Sequence, residues 1–152
     1  MKILTSIILV AALTLAFSSC SKDDDPEEVL DMKGTFSISI DGTKYEGTQV
    51  LNGAVAQVRT ISAENESFVF TAIMTDGLFK AGKTFDFEVD KSEIAPTIVV
   101  DLDGDGTDES LWGLTGTIKV VSTSEIEIDG VFYKDFLRTN PPHTVKGTVK
   151  SN

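Results

Sequence analysis

A single cysteine, Cys20, means that no disulfide can form within the chain, and one histidine, His143, leaves no ordinary nitrogen–sulfur set for zinc. Basic residues are also scarce: Lys and Arg total 13 against 24 Asp and Glu, for a net charge of −11. A surface of that sign repels phosphate backbones, so no nucleic acid is expected as a partner, whereas divalent cations suit it. Proline is rare, at 4 residues, and no window carries an apolar stripe of helical period and length. No strained nucleophile motif marks any serine. Gly104 and Gly106 do not make a phosphate loop, because acidic neighbours surround them. What remains is rich in Phe, Val, Ile and Thr, which fit strands, in a chain of 152 residues that suits one domain.

The only long apolar run is Ile3–Ala16, preceded by Lys2 and followed by Ser18, Ser19 and Cys20. It is shorter than the roughly 20 apolar residues of a spanning helix and has the length of a signal-peptide core. Phe17-Ser18-Ser19-Cys20 resembles a bacterial lipobox, with Phe17 standing where Leu is usual. That resemblance implies that the leader over 1–19 is removed and that Cys20 is lipidated. It also explains a lone thiol in an exported chain. The next residues, Ser21-Lys22-Asp23-Asp24-Asp25, resemble the surface-export signal of Bacteroidetes lipoproteins. The implied location is the outer membrane, lipid-anchored and exposed at the surface, with the membrane itself as a partner. The bland alternatives are an ordinary signal peptide with an incidental Cys, and a merely solvated linker. Residues 20–33 read as the lipidated Cys and an acidic flexible tether, and 34–152 as a single β-domain.

Within that domain, Thr35–Ile40 alternates strictly, with Phe36, Ile38 and Ile40 on one face. Asp41-Gly42 is a hairpin signal, and Asn52-Gly53 repeats it between Gln49–Leu51 and Ala54–Ser62. Ser67–Met74 is apolar on both faces and is expected to be central. Thr84–Val89 aims Phe85, Phe87 and Val89 to one side. Thr97–Asp101, Leu111–Leu114, Thr117–Ser122, Glu125–Asp129, Val131–Tyr133 and Thr144–Lys150 complete the strands, with at most one helical turn over 91–95. Ile38–Tyr45 and Ile126–Tyr133 echo each other at Ile, Ile, Asp, Gly and Tyr, an echo that either shared hairpin chemistry, the favoured reading, or an internal duplication explains. The architecture is all-β: an antiparallel β-sandwich of short hairpin-connected strands or, alternatively, a small up-and-down or partly open β-barrel. Phe36–Tyr45, Gly116–Val121, Gly130–Phe132 and Val145–Val149 are similar to segments of small β-rich Bacteroidetes surface lipoproteins. The likeness implies a fold and an address and carries over no catalytic residue.

The most specific local feature is Asp101-Leu-Asp-Gly-Asp-Gly-Thr-Asp-Glu109. Alternate carboxylates followed by glycine suit a chain wrapped around a cation, since every second oxygen points inward. The expected metal set is Asp101, Asp103, Asp105, Thr107 through its carbonyl, and Glu109, with calcium as the cofactor. Trp112 stands where an EF-hand needs its bidentate Glu, and both flanks read as strands. The loop therefore resembles the calcium loops between strands of integrin-type β-propellers, with Asp108 competing with Glu109 for the last place. A solvated Asp/Gly loop that binds nothing is the alternative.

His143, after Pro141-Pro142, reads as a loop residue. Glu64, Glu66, Asp86 and Glu88 offer carboxylates that nothing in the sequence pairs. Trp112 and Tyr133 are sugar-stacking candidates if exposed, although strand aromatics in a small domain are expected in the core. No catalytic residue is assigned. The functional expectation is a non-enzymatic binding or structural domain with an unidentified protein or glycan partner. The alternative is a carboxylate-dependent hydrolase acting on extracellular glycans.

Overall fold

Strand alternation begins where the pattern places it. In a computed structural model, which describes residues 32–152, β1 (Gly34–Ile40) buries Phe36, Ile38 and Ile40 and turns Thr35, Ser37 and Ser39 outward. The leader over 1–19, Cys20 and the tether up to residue 31 lie outside the described residues. Asp41 (φ 49°) and Gly42 (φ 89°) make a tight turn into β2 (Thr43–Gly47), with Ile40 opposite Thr43. Two successive positive φ angles match the twist of flanking strands, which is why Asp-Gly works there.

The other strands are β3 (Gln49–Val55), β4 (Val58–Asn65), β5 (Phe68–Thr75), β6 (Thr84–Asp86), β7 (Ile94–Val100), β8 (Glu109–Ser122), β9 (Glu125–Tyr133) and β10 (His143–Ser151). A short 3₁₀ turn, Asp76–Leu78, follows β5. The fold is all-β and antiparallel: one 10-stranded sheet in the order β2-β1-β10-β9-β8-β7-β5-β4-β3, with β6 added beside β8. Chain neighbours thus pair with each other, and pairing of β1 with β10 brings the ends of the domain together. Besides β6, which pairs with β8 and not with β5 or β7, the chain neighbours without a ladder are β2 and β3, the two ends of the strand path. Single bonds stitch that seam instead: Gly34 N–H to Thr48 O (3.2 Å), Asn65 Nδ2 to Glu46 O (2.9 Å), and Asn52 Nδ2 to Thr123 O and Ser151 Oγ (both 3.1 Å). The strand path is the partly open barrel of the two architectures, and its walls share one core as sandwich faces do.

That core is apolar throughout. Phe68, Phe70, Phe85 and Phe132 are each fully buried, and no polar or charged side chain is buried among the described residues. Each such Phe contributes about 1.5–3 kcal/mol relative to an exposed ring.

Several local expectations are corrected. Asn52-Gly53 is not a turn but lies inside β3; the reversal comes at Ala56 (φ 50°) and Gln57 (φ 72°), with Val55 opposite Val58. Asn52 is held in the strand because its side chain bridges the seam and also accepts from Arg59 Nη1 (2.6 Å). The strand over Thr84–Val89 stops at Asp86, whose Oδ1 accepts the amides of Glu88 (2.9 Å) and Val89 (3.1 Å). That local competition bends the chain and leaves Val89 77% exposed while Phe85 and Phe87 stay buried. β5 is an interior strand of the sheet, yet Ile73 on its outer face is 41% exposed. Residues 91–93 form a turn, and β7 starts before Pro96. Pro96 lies just beyond the stretch of β7 that pairs with β8.

The two segments Leu111–Leu114 and Thr117–Ser122 are one strand with a bulge between Gly113 and Thr115. Glu125–Asp129 and Val131–Tyr133 likewise fuse into β9. Asp129-Gly130, the echo of Asp41-Gly42, is therefore mid-strand, with Gly130 opposite Gly116. Its hairpin reading fails because Gly130 serves packing there, as a Cβ would lie 2.7 Å from Phe87 Cε2.

Candidate functional site

The acidic loop is the connection from β7 to β8. Asp101 leaves the end of β7 half-buried and accepts two amides, Gly104 on Oδ1 (2.8 Å) and Gly106 on Oδ2 (2.9 Å). Gly104 (φ 76°) and Gly106 (φ 84°) supply the positive angles that this wrap needs. Asp103 and Asp105 each accept the amide two residues on, from Asp105 (3.2 Å) and Thr107 (2.7 Å). One oxygen each of Asp101, Asp103 and Asp105 lie within 4.8 Å of one another.

Of the other expected ligands, Glu109 is not among the three carboxylates of that cluster. Thr107 contributes its N–H to Asp105, and Glu109 points to two other partners: Leu102 N–H (2.9 Å) and Lys134 Nζ (2.7 Å). Those bonds, Lys134 first, hold the Glu109 carboxyl below its ordinary range. Tyr45, stacked on Phe68 at 5.0 Å, has its phenol pushed up by burial and then by the charges of Asp101 and Glu109.

A second feature lies outside β8 and β9. Leu111 and Phe132 point into the core, so Trp112 and Tyr133, opposite each other on adjacent strands, face outward and are half-buried. The expectation that these aromatics belong to the core is thus overturned by strand parity. The loop from β9 to β10 folds over them. Phe136 packs on Trp112 with ring centroids 5.0 Å apart and a 39° tilt, and Arg138 lies 5.5 Å over the Tyr133 ring. The loop is ordered by Asp135, whose carboxylate accepts Thr139 N–H and O–H and Asn140 N–H and Nδ2–H. Those bonds, the Thr139 amide first, hold Asp135 well below the usual carboxylate range. Arg138 takes a positive φ of 57° and pairs with Glu88 at 3.0 Å.

Beside this wall runs a groove of about 580 Å³, bounded by Trp112, Phe136, Arg138, Glu88, Lys91 and Pro96 among others. Phe136 and Leu137 remain 67% and 85% exposed. The groove was not legible from motifs; its one signal was an apolar pair, Phe136-Leu137, inside an otherwise polar loop.

The remaining candidates separate. His143 is not a free loop residue: its Nδ1 meets Asp41 Oδ2 at 2.7 Å, and Asp41 Oδ1 accepts Thr144 N–H, so the pair clips β10 to the first hairpin. Asp86 is spent on turn amides and Glu88 on Arg138, while Glu66 is exposed at the β4–β5 turn. Glu64 sits near the seam with Oε2 buried and unpartnered, and burial raises its carboxyl above the ordinary range. No protein-family model matches this chain, and no curated protein matches it closely enough to show kinship.

Proposed function

We propose that this protein is an exported lipoprotein, anchored at the outer membrane through Cys20, whose β-domain binds a ligand without transforming it. The observation that carries the binding role is the outer aromatic wall: Trp112, Tyr133 and Phe136 held at the surface beside a groove. Apolar rings kept half-exposed by an ordered loop cost burial free energy that contact with a partner recovers. Support for the anchor comes from the leader that ends at a single Cys and from the Lys22-Asp23-Asp24 tag. Several acyl chains on one residue anchor stably, where a single chain binds only marginally.

The same reading includes calcium as a structural clip. Oxygens bound to one calcium ion at about 2.3–2.6 Å stand no more than about 5 Å apart, and the Asp101, Asp103 and Asp105 oxygens meet that condition. These three would hold the ion, which would neutralise their mutual repulsion. Glu109 joins only by giving up Lys134 or the Leu102 amide.

Intact-mass measurement of membrane-extracted protein should show loss of residues 1–19 and a gain of acyl mass; a soluble product with a free Cys20 thiol contradicts the anchor. For the clip, the melting temperature should climb with calcium on the order of 10⁻⁴–10⁻³ M, and Asp103→Ala should abolish the climb. An unchanged melting curve at roughly 10⁻² M calcium leaves the loop a solvated turn.

A further inference from the structure

We propose that the groove along the Trp112–Phe136 wall takes an acidic saccharide, a pyranose bearing a carboxylate; this rests on the reading of the domain as a binding module. A pyranose ring has two kinds of surface, a face of C–H groups and a rim of hydroxyls. The groove offers a counterpart to each. Trp112 and Phe136 present aromatic surface to a C–H face. Around it stand Arg138, a planar fork of donors, and Glu88, an acceptor, paired with each other at 3.0 Å and both exposed enough to share bonds with a ligand. The Trp112 indole N–H has no hydrogen-bond partner among the described residues and is a further donor.

Charge selects the acidic sugar over a neutral one. The chain carries a net −11, yet the groove is lined by Lys91 and Arg138 against a single acid, Glu88. Glu88 is engaged by Arg138, whereas Lys91 has no ion pair or hydrogen bond among the described residues. A carboxylate on the ligand supplies the missing partner. An apolar peptide would instead desolvate the Arg138–Glu88 pair and the indole N–H without replacing their bonds, which is costly. The volume, about 580 Å³, is that of a small-ligand cleft. Asp135 prepays the ordering of the loop that carries Phe136 and Arg138, so little entropy is lost when a ligand arrives.

Trp112 is the only tryptophan in the chain, so its fluorescence reports this groove alone. The mature lipoprotein in detergent micelles is titrated with digalacturonic acid, with cellobiose as the neutral sugar, and with sodium acetate at matched ionic strength. Digalacturonic acid should shift the emission saturably, and cellobiose should bind about tenfold more weakly. Lys91→Gln should bring the acidic sugar down to the neutral one and leave cellobiose unchanged, while Phe136→Ala should weaken both. Both residues are at the surface, so the fold tolerates the changes.

No saturable response to either sugar overturns the assignment and leaves the anchored binding domain standing. So does an equal response to acetate, an unaltered affinity in Lys91→Gln, or a response confined to an apolar peptide such as Leu-Phe-Leu. Saturable binding accompanied by release of reducing ends upholds the sugar assignment and overturns only the non-enzymatic reading.

Discussion

Gly42, Gly130 and Gly116 should answer differently to the same substitution, and the order follows from what an added Cβ would meet. At Gly42 nothing lies within 4 Å, so Gly42→Ala costs only the strain of a left-handed φ of 89°, about 1–2 kcal/mol. At Gly130 the Cβ would stand 2.7 Å from Phe87 Cε2 and 2.9 Å from Thr115 O. Phe87 is 4% exposed and packs edge-on against Phe132 at 6.0 Å, so the ring has nowhere to go, and overpacking costs about 1–3 kcal/mol. Gly116 combines both penalties. Its φ is 117°, and its Cβ would fall 2.3 Å from Gly130 Cα and 2.4 Å from Asp129 O, which are backbone atoms that no rotamer change can move. Gly116→Ala should therefore lose about 2–5 kcal/mol, the largest of the three. Urea unfolding followed by Trp112 fluorescence measures the series, and about 1 kcal/mol displaces the midpoint by ~0.3–1 M. If β9 were instead broken by a turn at Asp129-Gly130, so that Gly130 no longer lay opposite Gly116, Gly42→Ala and Gly130→Ala would cost alike and Gly116→Ala little. That outcome refutes the packing argument.

Phe70→Ala, at a fully buried site in β5, should cost about 3–5 kcal/mol in the same assay. Glu64→Gln should raise the melting temperature at neutral pH. Between the ordinary carboxylate range and its raised value, the folded chain keeps a proton that the unfolded chain has lost, so wild-type stability falls as pH rises through that window. The variant's melting profile should be flatter there; parallel profiles would clear Glu64 of any role. Asp135→Ala should loosen the β9–β10 loop and red-shift Trp112 emission as Phe136 withdraws. The wild-type Asp135 contribution is present at neutral pH and is lost only as pH falls below the usual carboxylate range, because its folded value is depressed. An unchanged spectrum in the variant at neutral pH would show that the loop holds without it.

Alternation of two-residue period determined most of the fold by itself. Thr35–Ile40 and Thr144–Lys150 hardly differ from β1 and β10, because side chains on a half-buried strand must alternate whatever they pair with. Asp41-Gly42 was legible as a turn for a similarly local reason, the positive φ angles that its residues tolerate. The carboxylate spacing at 101, 103 and 105 likewise announced a loop whose oxygens converge. Tertiary structure decided the rest. Asn52-Gly53 and Asp129-Gly130 have turn chemistry but lie in strands, since Asn52 bridges the seam and Gly130 admits the Phe87 ring. Ala56-Gln57 turns without any turn signature because Val55 and Val58 are brought opposite each other by the β3–β4 ladder. Closure of the sheet depends on β1 meeting β10 across almost the whole domain, a pairing no local window contains. The bulge between Gly113 and Thr115 shifts register within β8, and a shift of one residue moves every side chain beyond it to the other face. That register puts Trp112 and Tyr133 outside and Leu111 and Phe132 inside, so the aromatic wall exists only once the strands have paired.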